Sequence, residues 1–234
     1  MKLVRPSVDI PENIDGIQIL KTLEKVARTC YKSEDKITED DSSARKLIGT
    51  IMQVHHESIL EFVDITVKFT CSRACANEIV RHRVGSYSQE STRYCNYSKD
   101  KFDNQFTFII PRWTEIKEGI YTSNDGGVLD RDKAFLASCL NAEYAYNELV
   151  KTYGCRAEEA RDVLPLCTKT EINVKYNLRE WRHFFELRCS SKAHPEIRLL
   201  ARTLLKRFHE EIPLIFDDLY KTFILHADSK SSVQ

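Results

Sequence analysis

Between Arg73 and Arg93 the chain concentrates Arg73, Arg81, His82, Arg83 and Arg93 against only two acids, Glu78 and Glu90. Arginine forks bind phosphate oxygens in pairs. A turn through Gly85, Ser86, Ser88 and Ser91 adds hydroxyls and accessible backbone N–H groups. Together these suit a phosphate monoester. A solvated basic loop held by surface ion pairs uses the same residue types, so residue chemistry alone leaves both readings open.

A second candidate is the stretch YNLREWRHFFELR. At helical spacing Asn177, Trp181, Phe184, Phe185 and Arg188 share one face. That face is apolar, yet Arg188 sits on it. A buried guanidinium is costly unless several acceptors meet it. An internal salt bridge or a snorkelling arginine would satisfy it. So would a functional role, in which a cation held in an apolar pocket stabilises charge developing on a substrate. Arg179 and His183 lie i, i+4 on a flanking face and can reach a common ligand.

The run HHESILEF, His55–Phe62, begins like a zinc-protease motif, but its second histidine would fall at Leu60. His55 completes an apolar stripe and is expected in the core, whereas His56 and Ser58 are freer to meet a ligand. Eight cysteines are present, with only Cys71 and Cys75 close in sequence, and no zinc-ribbon or disulfide framework emerges. No metal is expected. Neither GxGxxG, GxxxxGK[ST] nor GxSxG occurs, so a dinucleotide must be held by some other arrangement.

The elements that must position these residues follow from period and punctuation. Residues 1–10 suggest one short strand. A helix is expected over Ile17–Cys30 with Leu20, Leu23 and Val26 inward. Another starts near Ser42 or Ser43, carrying Ala44, Leu47, Ile48 and Ile51. Val63–Phe69 alternates as a half-buried strand, followed by a short helix over 72–82 and a strand over Gln105–Ile110. Thr114–Val128, with its Asn124-Asp125-Gly126-Gly127 cluster, reads as a long loop. A long helix spans Asp130–Tyr153, a third strand carries Ile172, Val174 and Tyr176, and two helices, 177–189 and 195–211, close the chain before a polar tail from about 226. The 35 basic and 35 acidic residues cancel, which argues against nucleic acid or an anionic membrane as partner. With no apolar leader or membrane-length stretch, the expectation is one cytoplasmic α+β domain over 1–234, with a central, mostly antiparallel sheet flanked by long helices.

Arg81-His82-Arg83, seven residues, Ser91, one residue, Arg93 resembles the signature of flavin-dependent thymidylate synthases at every required position. His56-x-Ser58-x-x-Glu61, Glu159-Ala160-Arg161-x-Val163-Leu164-Pro165, Asn177-Leu178-Arg179 and Phe185-x-Leu187-Arg188 resemble further blocks of that family, in the same order. The chain departs from common family residues at Phe62, Glu78, Gln89, His183 and Lys192.

The resemblance implies a methyltransferase that converts dUMP to dTMP, with 5,10-methylenetetrahydrofolate as folate carbon donor and NADPH-reduced FAD as hydride source. It implies flavin contacts from His56, Ser58, Arg81, His82, Arg83, Gln89, Asn177, Arg179 and His183. It assigns dUMP to Glu78, Arg81, Gln89, Glu90, Ser91, Thr92, Arg93, Arg161 and Arg188, with Arg188 catalytic through charge stabilisation at pyrimidine N3. It further implies a homotetramer with shared active sites. The rivals are a non-catalytic nucleotide-binding relative, an RNA-binding module, and a thymidylate synthase with a cysteine nucleophile.

Overall fold

Alternation of Ile65, Val67, Phe69 and Cys71 with polar partners builds strand β3, Asp64–Ser72, with those four side chains buried. The computed structural model describes residues 1–97, 105–123 and 130–226. Its other strands are β1 (Lys2–Val4), β2 (Ser7–Asp9), β4 (Ser86–Gln89), β5 (Thr107–Ile109), β6 (Gly119–Ile120) and β7 (Lys169–Asn177). The helices are α1 (Gly16–Tyr31), α2 (Ser42–Gln53), α3 (Arg73–Ile79), α4 (Asp130–Asn147), α5 (Ala157–Ala160), α6 (Leu178–Arg188), α7 (Pro195–Glu211) and α8 (Pro213–Tyr220). One sheet has the order β5-β1-β6 and the other β2-β3-β7-β4. In the smaller sheet β1 runs parallel to β5 and antiparallel to β6. The mixed α+β class expected from the sequence is what the chain adopts.

The chain gathers into two compact units, each discontinuous in sequence. The first comprises Met1–Ser7, Phe69–Arg81 and Ser88–Asn173; the second comprises Val8–Lys68, His82–Tyr87 and Val174–Gln234.

In the first unit the core collects Leu3, Phe106, Phe108, Ile110, Leu136 and Tyr146. The rings of Phe106 and Tyr146 meet edge to face at 4.6 Å. In the second unit the apolar face of α6 is fully buried, with Trp181, Phe184 and Phe185 all at 0% exposure. Phe185 packs edge-on against Phe208 of α7 and Phe216 of α8. Trp181 donates its indole N–H to the Ile65 carbonyl at 3.1 Å, tying α6 to β3. Arg182, on the same helix, is buried because Asp218 and the Ile215 carbonyl accept from it and Glu57 lies 3.5 Å away.

Several elements differ from their expected form. Residues 1–10 make two strands, because Pro6 between them has no N–H to donate. The expected loop from Thr114 contains β6, which pairs with β1; the Asn124–Gly127 cluster and the tail beyond 226 lie outside the described residues. In α1 the inward positions are Leu20, Leu23, Glu24 and Ala27, with Val26 only half-buried. Glu24 accepts from Arg28 at 2.8 Å and from Ser43 of α2 at 3.0 Å, so this buried carboxylate joins the two helices. The last turns of the helix from Asp130 widen into a π-turn over Glu148–Thr152. Helix α8 is additional: Pro213 occupies its first turn, and Ile215, Phe216 and Leu219 are buried.

Candidate functional site

The signature run leaves α3 as a turn at Arg81, bends through Val84-Gly85 and becomes strand β4. Gly85 is required there: a Cβ would lie 2.3 Å from two ring carbons of Tyr176 and 3.1 Å from the Lys175 carbonyl oxygen. Tyr176 is itself fixed, buried to 1% exposure, with its hydroxyl 2.8 Å from that of Tyr87 and its ring 4.7 Å from Trp181. Tyr87 in turn donates to the His82 carbonyl. This ladder sets the backbone at His82.

His82 is buried, boxed by Phe184 at 5.1 Å, His183 at 5.7 Å and Tyr176 at 6.1 Å. Arg188 donates from Nε to His82 Nε2 at 3.0 Å, and Glu180 Oε1 lies 2.9 Å from His82 Nδ1. A guanidinium has no acceptor atom, so Nε2 must offer a lone pair and the ring is neutral, with its proton on Nδ1 directed at Glu180. Burial first, then the charges of Arg188 and His183, push the His82 pKa down from 6.5 to about 4. The unfolded chain therefore binds more protons than the folded one between these values. His82's contribution to stability is complete above about 6.5 and is lost as pH falls toward 4. We expect a loss on the order of 1 kcal/mol from this residue between pH 7.5 and pH 5, after discounting for screening. Urea denaturation at the two pH values should show a smaller fall for His82→Asn than for wild type; equal falls would remove His82 from the account.

Asn177 caps α6, its Oδ1 accepting from the Glu180 N–H at 2.8 Å. It lines a cleft of about 530 Å³ with Val84, Arg179, His183, Glu180 and Glu186; Glu57, Glu61 and Arg182 complete the wall. That volume lies in the range of small-molecule sites. Three of the four carboxylates are matched: Glu61 by Arg179, Glu57 by Arg182, and Glu180 by His82. An acceptor-rich wall of this kind suits the hydroxyls and ring N–H groups of a flavin dinucleotide. Its pyrophosphate would fall to exposed guanidinium groups such as Arg83 and Arg179. The residues present thus fit FAD. His56 and Ser58 are exposed at the turn before β3. His55, expected in the core, is instead exposed with φ +57°, because α2 ends at Gln53 and the chain reverses there in a left-handed conformation.

In the first unit Ser91 starts a tight turn. Its carbonyl accepts from the N–H groups of Tyr94 and Cys95, and its Oγ accepts from that of Arg93. Arg93 is exposed, 3.6 Å from Glu158 and stacked near the Tyr94 ring at 5.5 Å. Arg81 and Arg161 are exposed, Glu78 is half-buried on α3, and Thr92 is buried. Gln89 donates to Thr170 at 3.3 Å. Glu90 is held internally: Tyr97 donates to one oxygen at 2.7 Å, and Lys169 and the Glu171 N–H to the other. Burial and this carboxylate push the Tyr97 hydroxyl well above its ordinary pKa. Arg73 Nη1 is buried with no hydrogen-bond partner among the described residues.

The predicted residues thus divide between the units. His82, Asn177, Arg179, His183 and Arg188 come together in the second, and Gln89 to Arg93 in the first. Glu180, Glu158 and Lys169 were not singled out in the sequence, and Tyr176 was read only as a strand residue. For Glu180 a signal existed: Glu180, Phe184 and Arg188 recur at i, i+4, i+8, so two opposite charges bracket a buried aromatic on one stripe.

Residues 17–214 match the model of a family described as thymidylate synthase complementing protein. The chain is 35% identical, over 199 residues, to a flavin-dependent thymidylate synthase of Geobacter sulfurreducens, covering 82% of this chain and 78% of the relative. Among solved structures it resembles thymidylate synthase X of Helicobacter pylori, crystallised with FAD and dUMP. That likeness has a TM-score of 0.68 at 20% identity and covers 92% of this chain and 99% of that one. A UMP/dUMP methylase of Streptomyces cacaoi, bound with 5-Br dUMP, gives 0.72 at 22% identity, over 95% and 98%. At such identities the two structures speak to the fold. The sequence matches go further, since they run through nearly the whole described chain and through the signature itself: the chain belongs to the flavin-dependent thymidylate synthases.

Proposed function

We propose that this chain methylates C5 of dUMP reductively to give dTMP, with 5,10-methylenetetrahydrofolate as carbon donor and FAD reduced by NADPH as hydride source. The observation that carries the reading is the contact of Arg188 with buried His82 at 3.0 Å, inside a complete family signature. Bound FAD supplies hydride chemistry that no side chain offers. The protein's residues bind, orient and neutralise. Arg188, always charged, stabilises negative charge at pyrimidine N3, so that C5 can take the carbon without an enzymic thiolate. Two buried cysteines agree: burial raises Cys189 to about 12, and Cys139 is pushed up by Cys167 and burial.

Arg93, Arg161 and Arg81 hold the dUMP phosphate, with Glu78, Gln89, Glu90, Ser91 and Thr92 shaping its seat. His56, Ser58, Arg81, His82, Arg83, Gln89, Asn177, Arg179 and His183 hold the flavin. Four copies complete the sites they share. No helix among the described residues is long and apolar enough to cross a membrane. Its setting is the cytoplasm, whose reducing conditions suit eight free cysteines.

Anaerobic incubation with dUMP, methylenetetrahydrofolate, NADPH and FAD should yield dTMP by mass spectrometry, and omission of FAD should abolish it. Binding of dUMP with no dTMP formed would favour a non-catalytic nucleotide-binding relative. Arg93→Ala should weaken dUMP binding about 10- to 100-fold, the scale of one charged hydrogen bond, and deoxyuridine binding hardly at all. Isothermal titration of both ligands decides; an equal loss for the two would remove the phosphate assignment.

A further inference from the structure

We propose that Glu180 is a positioning residue for Arg188, acting through the imidazole of His82. The inference rests on the proposed function for its consequence and on geometry for its existence. Glu180 is 9% exposed and lies on the same stripe of α6 as Arg188, two turns earlier, with His82 between them in space. The carboxylate Oε1 is 2.9 Å from Nδ1 and the guanidinium Nε is 3.0 Å from Nε2.

Only one protonation pattern satisfies both contacts. Arg188 can only donate, so Nε2 accepts; Nδ1 then carries the ring proton and Glu180 accepts it. Loss of the carboxylate would free the ring to carry its proton on Nε2. There it would face the N–H of Arg188, and the guanidinium would have to turn away.

Three features make the relay rigid. The backbone of Glu180 is fixed by the Asn177 cap, the ring by Phe184 and Tyr176, and the peptide of His82 by the Tyr87 hydroxyl. The ligand atoms of His82, Glu180 and His183 lie within 4.8 Å of one another, a spacing that would also admit a cation. With the Arg188 charge bonded to the same ring, an added metal ion would meet repulsion at that point. The arrangement is therefore a device for aiming a guanidinium.

The test reads the ring directly. Nitrogen-15 NMR of histidine-labelled protein at pH 7.5, with His82 assigned by His82→Asn, should find the neutral Nδ1–H tautomer in wild type. Glu180→Leu should populate the Nε2–H form and lower kcat about 10²-fold, the scale of a small misplacement of a catalytic group, with dUMP affinity within about threefold. Glu180→Gln, whose amide oxygen can accept the same proton, should recover at least about tenfold of that loss. An Nε2–H tautomer in wild type would overturn the relay even if Glu180→Leu does not fold. So would wild-type kcat in a folded Glu180→Leu. Because the tautomer is read without turnover, a wild-type protein that forms no dTMP would count against the proposed function and not against the relay.

Discussion

Arg188→Ala is expected to lower kcat about 10³-fold, the scale of losing one preorganised charge at a transition state, while FAD remains bound. The expectation follows from where the side chain sits. It is half-buried at the end of an apolar helix face whose Trp181, Phe184 and Phe185 are fully buried, and its Nε is bonded to a neutral histidine. The neutral imidazole at Nε does not itself offset the guanidinium charge, as a carboxylate in that place would. Burial of the surrounding rings lowers the local dielectric and strengthens that charge toward anything placed before it. Removing it leaves the helix cap at Asn177 and the cleft residues Arg179 and His183 untouched, so flavin content should stay within about twofold. Single-turnover dTMP formation, alongside the flavin-to-protein absorbance ratio, checks both halves. A rate within tenfold of wild type would remove Arg188 from the chemistry; loss of flavin in proportion to rate would make it a binding residue instead.

Gly85→Ala should have the second large effect, and by a steric route. The added methyl would lie 2.3 Å from Cδ1 and Cε1 of Tyr176, far inside van der Waals contact. The ring has little room to yield, since it is 1% exposed, packed on Trp181, and hydroxyl-bonded to Tyr87. The strain must pass to the signature bend, and with it to His82 and Arg83. We expect a loss of about 2–3 kcal/mol, in the overpacking range, and about tenfold weaker FAD binding. Gly49→Ala provides the contrast. Its methyl would meet only Leu214 Cδ1 at 3.7 Å, an ordinary contact in the middle of α2. There alanine should stabilise by roughly 0.5–1 kcal/mol. Thermal melts of both variants decide, and a Gly85→Ala protein that melts with wild type would show that the bend has slack.

How much of this was legible beforehand depends on the range of the interaction that makes each feature. Alternation along Ile65, Val67 and Phe69, and the helix opened by Pro195, are local patterns, and both elements form where the pattern puts them. Helix α8 was not foreseen: Pro213 opens it, and what holds it in place is the burial of Phe216 against Phe185 and Phe208, a tertiary contact. The glycine and serines of the signature look like a loop, yet Ser86–Gln89 pairs as a strand, because β7 supplies the neighbour from far along the chain. His55 matched a helical stripe that the chain leaves two residues earlier.

The same holds for the site. Its residue types were readable from the signature and the α6 face, since chemistry and helical spacing are written in sequence. The Glu180–His82–Arg188 relay was not, because His82 stands 106 positions from Arg188 and no periodicity spans that interval. The internal use of Glu90 by Tyr97 and Lys169 is likewise a tertiary fact.

The most direct measurement is an anaerobic absorbance trace of the purified protein mixed with NADPH, with and without dUMP. A flavin band should bleach on mixing, at a rate that dUMP changes. A colourless protein that takes up no added FAD and leaves NADPH unoxidised would contradict the proposed function.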